Sequence, residues 1–320
     1  MNTETCRQSW NPETTMDTPN NLCGMLPKYA TLTEVGPRDG FQFEKKIVPT
    51  ELKHEMIMRL VNAGFKHIQV TSFVHPGKVP QMADAEKLLA ELPRISGVSF
   101  SALVLNKTGV ERAIASGLTH IEVSISASNR HSLNNTGMNT ESALKTGVEM
   151  VAFSKRHGLQ VRASIQCAFG SGYDETISEN MITAMAEALI AAGADTISLA
   201  DTTGLATPIS VCRRVNAVKS IAGELPIALH LHDTRGLGLA NVLTALGCGI
   251  DRFDTALAGM GGCPFIPDAA GNIATEDTLY LLNSLHVETG LNLPQIASCS
   301  RDLEAFFEKR FPGKLYRLSV

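Results

Sequence analysis

The chain lacks any long run of one charge. Over 320 residues, 28 Lys and Arg stand against 32 Asp and Glu, a formal net charge of −4. A protein without a basic patch or stripe offers no electrostatic footprint for nucleic acid or for an anionic membrane. No nucleic acid and no membrane partner is expected, and a small molecule is. The chain also lacks a CxxC pair among its seven cysteines. Cys167, Cys212 and Cys248 lie in apolar segments as small hydrophobes, which fits a reducing compartment. No stretch is apolar over transmembrane length, and the first 28 residues carry neither an apolar signal core nor an Arg-rich amphipathic pattern. Residues 1–28 therefore read as a disordered polar tail before one domain at 29–320, and a cytoplasmic location is expected.

From residue 30 onward, what is present is an alternation. Eight β-rich runs, from YATLTEV through HIQVTSF, VSFSALV, HIEVSIS, VRASIQC, DTISLAD and PIALHLH to DRFDTAL, are separated by helical patterns such as TELKHEMIMRLVNAG and ENMITAMAEALIAAG. Repeated strand–helix units of this number predict an α/β fold, a (β/α)8 TIM barrel, with additional C-terminal helices from Thr275 onward. Several helices end in AG or SG just before the next strand, which suits glycine after a helix C-terminus. A barrel of this kind carries its chemistry at the C-terminal ends of its strands.

The polar residues collect there. His230 and His232, two apart in LHLHDT, point to one face of a strand, where they either offer two nitrogens to one cation or hydrogen-bond as interior histidines. On the pair alone both readings stand. Asp39 in PRDG follows strand 1, close to strand 7 around a closed barrel, and Asn272 in AAGN follows strand 8. Two imidazoles, a carboxylate and an amide carbonyl suit a divalent metal ion, Mg2+ or Mn2+, better than a closed thiolate zinc site, with zinc still open. Asp233 points the other way and reads as a loop brace. Arg38, in a turn bounded by Pro37 and glycines, is either a salt-bridged turn residue or a fixed guanidinium for a developing oxyanion. Cys263, in the glycine- and proline-rich stretch AGMGGCPFIPDAAG, is either an incidental thiol or a proton-transfer group on a mobile lid. Asp201, ending strand 6, either caps the helix that begins near Pro208 or orients a base or a metal-bound water.

Five stretches, EVGPRDGFQFEK, TSFVHPGKVPQMAD, SLADTTGLATP, LHLHDTRGLGLANVLTALGCGI and AGMGGCPFIPDAAGNIATED, together resemble the 3-hydroxy-3-methylglutaryl-CoA lyase family of metal-dependent barrel lyases, from about residue 30 to 290. The resemblance implies cleavage of a 3-hydroxyacyl-CoA into acetyl-CoA and a keto acid. It implies Asp39, His230, His232 and Asn272 as metal ligands, Arg38 on the enolate, Cys263 as proton carrier and Asp201 in proton transfer at the hydroxyl. An acyl-CoA substrate and a homo-oligomer, dimer or tetramer, are expected with it. Three departures fall on the expected substrate pocket, which also includes Ser72. Gln69 stands where the lyases usually have glutamate, Ser164 where they place a tyrosine, and GSGYDE lacks their usual cysteine. An amide cannot carry charge or take a proton. Gln69 therefore points either to a related substrate such as citramalyl-CoA or to a catalytically silent acyl-CoA-binding homologue. The condensing synthases that share this barrel fit less well, because GGCP is kept and the chain stops soon after the barrel. Lys309, Arg310, Lys314 and Arg317 read either as partners for CoA phosphates or as a solvated tail.

Overall fold

The computed structural model describes residues 26–262 and 271–318. Eight parallel strands close in sequence order into one barrel: β1 Thr31–Glu34, β2 His67–Ser72, β3 Ser99–Val104, β4 His120–Ser126, β5 Gln160–Gln166, β6 Thr196–Ala200, β7 Ile227–His230 and β8 Arg252–Thr255. The helices are α1 Thr50–Asn62, α2 Ala85–Glu91, α3 Lys107–Ala115, α4 Asn129–Thr136, α5 Thr140–Arg156, α6 Glu179–Ala191, α7 Pro208–Ala222 and α8 Gly238–Gly247, followed by α9 Thr275–Ser284 and α10 Leu293–Phe307. The expected (β/α)8 barrel with extra C-terminal helices is the fold. Among the described residues no helix is long and apolar enough to cross a membrane. The expected N-terminal tail lies, up to residue 25, outside the described residues.

Local sequence explains the boundaries. Asn106, Ser128, Asn139, Ser178, Thr207 and Asn292 each accept from a backbone N–H in the first helical turn that follows, satisfying donors that the helix itself leaves open. The AG and SG pairs do what their position suggests: at Gly64 the backbone turns left-handed, and an added Cβ would lie 2.4 Å from the Gly290 carbonyl oxygen. Strand β7 is shorter than its apolar run. It ends at His230, because His232 leaves the sheet to pair with Asn272 on the return from β8, and Leu231 O accepts from Ile273 N at 3.1 Å.

Period-two alternation divides the strands between two layers. Ile68, Val123, Ile165, Leu199, Leu229 and Phe253 belong to the apolar core that the strands share with the helices. The barrel axis is polar instead: Gln69, Glu122, Arg162, Ser198 and Asp254 bond to one another across it. A barrel centre usually holds layers of branched apolar side chains. This one stores buried charge beneath its mouth.

Candidate active site and metal centre

Three ligand atoms, one each from Asp39, His230 and His232, lie within 4.8 Å of one another. Asp39 comes from a single wide helical turn, Gly36–Gly40, that directly follows β1, and the two histidines lie at the end of β7. The Nε2 atoms of the imidazoles are 3.2 Å apart. His230 Nδ1 sits 3.1 Å from Asp254 Oδ2. A carboxylate on Nδ1 keeps the proton there and turns the Nε2 lone pair toward the site, the usual second partner of a metal-binding histidine. Burial, with His230 adding to it, pushes His232 down to about 3, so this ring is neutral and able to act as a ligand. Asp39 is also prepared: burial alone would raise its carboxyl, but Arg38 and His230 hold it below the usual carboxylate range.

Asn272 completes the set. Its Nδ2 donates to Asp39 Oδ2 at 2.7 Å and to Met260 O at 3.0 Å. That fixes which end of the amide is oxygen, and Oδ1 is left buried without a hydrogen-bond partner. His232 Nδ1 is likewise buried without one. Orphaned buried polar atoms are rare and ask for an explanation. A carboxylate, two imidazole nitrogens and a free amide oxygen on converging side chains fit a divalent cation. The close approach needs glycine: at Gly261, whose φ is +113°, a Cβ would fall 2.5 Å from Asn272 Nδ2 and 3.3 Å from Asp39 Oδ2.

Above these groups opens a cavity of about 420 Å3 at the C-terminal ends of the strands, lined by Arg38, Asp39, Glu122, Ser164, His230, His232 and Gly262 among others. Arg38 donates from Nε to Gln69 Oε1 and from Nη1 to Asp39 Oδ1. It is therefore a paired turn arginine and a wall of the cavity at once. Its Nη2 donates to no described residue and is available to an incoming oxygen. Across the cavity, Ser164 and Gln166 of β5 face it beside His131, whose Nδ1 lies 3.0 Å from Ser126 Oγ and which burial pushes down to about 4.

The remaining expectations separate. Gln69 lies beneath the mouth and lines a second cavity, of about 270 Å3, toward the other end of the barrel. Ser72 is buried on β2 with an unpartnered hydroxyl and does not line the mouth cavity. Asp201 does not line it either. Its Oδ1 accepts from Leu205 N at 2.8 Å and Ala206 N at 3.0 Å, bracing the loop before α7, while Thr207 is the residue that caps α7. Asp201 Oδ2 is buried without a partner, and burial pushes the carboxyl up to about 6 against the pull of those two amides. Asp233 accepts from Gly238 N at 2.8 Å and braces its loop. Cys263 lies outside the described residues, one position beyond Gly262. Lys309 pairs with Glu44 at 2.7 Å, and Arg317 donates to Phe311 O at 3.1 Å, so these two tail cations are engaged within the chain.

Below the mouth lie charges that the sequence alone does not bring together. Arg162 makes a two-pronged pair with Asp254, at 2.7 and 2.5 Å, and its Nε lies 3.5 Å from Glu122 Oε2. Asp254 therefore supports a guanidinium and His230 together. Burial opposes its ionisation, yet Arg162 and His230 bring it down to about 2. The available signal was a charged residue at one inward position in each of the runs HIEVSIS, VRASIQC and DRFDTAL, which a strand buried on both faces has no reason to carry without a function.

Comparison with known proteins places the chain in a family. The family model described as HMGL-like matches residues 30–303. A human protein named 3-hydroxy-3-methylglutaryl-CoA lyase, cytoplasmic, is 40% identical over 271 residues, covering 85% of this chain and 73% of its own. The solved structure of hydroxymethylglutaryl-CoA lyase from Pseudomonas aeruginosa superposes with a TM-score of 0.88 at 35% identity, over 92% of this chain and 98% of that one. An HMG-CoA lyase from Acinetobacter baumannii, solved in complex with coenzyme A and 3-methylmalate, reaches a TM-score of 0.86 at 35% identity, over 91% and 95%. With a family model spanning most of its length and relatives at this identity, the chain belongs to the HMGL-like family.

Proposed function

We propose that this chain is a metal-dependent carbon–carbon lyase that cleaves 3-hydroxy-3-methylglutaryl-CoA into acetyl-CoA and acetoacetate. The observation that carries the reading is the set Asp39, His230, His232 and Asn272, with two orphaned buried atoms, beside the Arg38 guanidinium, which lines the same cavity and whose Nη2 bonds to no described residue. A divalent cation held by these four residues would supply the positive charge that grips the hydroxyl and carboxylate oxygens of the substrate and makes the hydroxyl easier to deprotonate.

In the reaction, the tertiary hydroxyl loses its proton, the C2–C3 bond breaks, C3 becomes a ketone, and the electron pair passes to the thioester as an enolate. Arg38 places a fixed donor at the enolate oxygen, at no reorganisation cost when charge develops there. Asp201, whose chain neighbours Ala200 and Thr202 line the cavity and whose Oδ2 is buried without a partner, is assigned to removal of the hydroxyl proton. Cys263, next to the cavity-lining Gly262, returns a proton to the enolate carbon. Ser164, on the wall of the mouth cavity, belongs to the acyl pocket, and the partner is an acyl-CoA thioester. Mg2+ or Mn2+, a cytoplasmic location, a homo-oligomeric state and a single domain at 29–320 complete the proposal. The relatives themselves include cytoplasmic, mitochondrial and bacterial proteins.

Acetyl-CoA release from 3-hydroxy-3-methylglutaryl-CoA, both citramalyl-CoA enantiomers and longer 3-hydroxy-3-alkylglutaryl-CoA esters, each with Mg2+ or Mn2+, tests the reading. Turnover of the first supports it. Turnover of another alone moves the substrate to citramalyl-CoA or a longer ester, and silence across the panel leaves a silent acyl-CoA-binding homologue.

A further inference from the structure

We propose that Glu122 is a positioning residue for the reaction, acting on Arg38 through the Gln69 side chain. This rests on the lyase reading and adds to it a control on the guanidinium. The geometry is a relay in which each member has one possible role. Arg38 Nε can only donate, and it donates to Gln69 Oε1. Glu122 Oε2 can only accept, and it accepts from Gln69 Nε2 at 2.9 Å. A glutamine amide can turn over about its last bond, exchanging oxygen for NH2 at little steric cost. Here the exchange would set NH2 against a guanidinium and oxygen against a carboxylate. Glu122 therefore locks the amide with its oxygen toward Arg38, and Arg38 then has Nε and Nη1 occupied and Nη2 turned free.

The ion pairs below the mouth involve the same carboxylate, whose Oε2 lies 3.5 Å from Arg162 Nε. The buried axis sets two guanidinium groups, on Arg38 and Arg162, among three carboxyl groups, on Asp39, Glu122 and Asp254. Buried charges persist when they are paired and hydrogen-bonded. Glu122 is the member of this set that touches neither the candidate ligands nor Asp254, yet it is buried and lines the mouth cavity. An amide at position 69 is thus a consequence of a carboxylate at 122: a glutamate at 69 would bring two carboxylates to the distance of a hydrogen bond.

The test is a charge swap in the full chain, with Glu122→Gln, Gln69→Glu and the double variant. Each is read as kcat and KM for the turned-over thioester and as the midpoint of thermal unfolding. Glu122→Gln keeps a hydrogen bond to Gln69 and loses only the charge, so kcat falls about tenfold while KM changes by less than about threefold. Gln69→Glu falls at least as far. In the double variant the carboxylate now at position 69 accepts from Arg38 and from the amide now at position 122. It recovers kcat to within about threefold of wild type, because the charge has moved one side chain along the same relay. A folded Glu122→Gln protein with wild-type kcat, or a double variant worse than both singles, overturns the proposal. A wild-type protein silent on every thioester overturns the lyase reading instead, and the relay is then judged on the unfolding midpoints. Recovery in the double variant supports it, and additive losses overturn it.

Discussion

Two sets of buried carboxylates lie around β1 and β8, and the barrel holds them in opposite states. Asp39 and Asp254 face the axis, where Arg38, Arg162 and His230 keep them ionised despite burial, Asp254 down to about 2. Glu34 and Glu276 face the outer layer, where no guanidinium or imidazole of a described residue bonds to them. Burial pushes Glu34 up to about 8 and Glu276 to about 7. Glu34 accepts from Gly36 N at 2.8 Å and Leu257 N at 2.9 Å, and its Oε2 lies 2.6 Å from Thr275 Oγ1. Thr275 Oγ1 donates to that oxygen and lies 2.9 Å from Thr255 Oγ1. Glu276 accepts from Ala258 N at 3.0 Å and from Ser300. These two clip together the turns after β1 and β8, from which the site residues hang. For Glu34 and Asp254, on adjacent strands, the face on which the side chain lies decides whether the buried carboxyl serves as fastener or as charge.

The comparison breaks first at Asp254. Asp254→Asn removes the charge that balances Arg162 and leaves one acceptor oxygen where Arg162 and His230 use two, and the expected result is Mn2+ affinity lower by about 10- to 100-fold, with a lower unfolding midpoint. Titration calorimetry of variant and wild type checks it, and unchanged affinity would make the axis charges structural only. Glu34→Gln is the smaller test and has the opposite signature. Because the folded pKa of Glu34 lies above its ordinary value of 4.5, its contribution to stability is complete below pH 4.5 and is lost as pH rises toward about 8. The neutral amide lacks that loss, so unfolding free energies from urea titrations at pH 5 and pH 8 should lie closer together in the variant than in wild type, by on the order of 1 kcal/mol or more. Equal spacing in the two proteins would place a charged Glu34 in the fold.

These two sets also mark what a sequence shows and what it hides. The barrel is legible because eight runs of period two alternate with helical stretches, and the four candidate ligands are legible because the histidine pair, PRDG and AAGN fall at strand ends. Gln69 is visible as a departure, but its meaning is not, since Glu122 comes from another strand 53 residues away. Glu34 and Asp254 are both acids in short strands next to each other, and only closure of the barrel decides which one meets a guanidinium. Asp201 illustrates the same limit. A carboxylate ending a strand suits a brace and a proton carrier equally well, and its two oxygens divide between an occupied and a free position.

The account rests on a divalent cation at Asp39, His230, His232 and Asn272 driving cleavage. The most direct measurement is acetyl-CoA release from 3-hydroxy-3-methylglutaryl-CoA by protein stripped of metal with a chelator, then titrated with Mn2+. No release from the stripped protein and full recovery at one equivalent of Mn2+ per chain are expected. Release at the same rate without metal, or recovery that ignores stoichiometry, would contradict it.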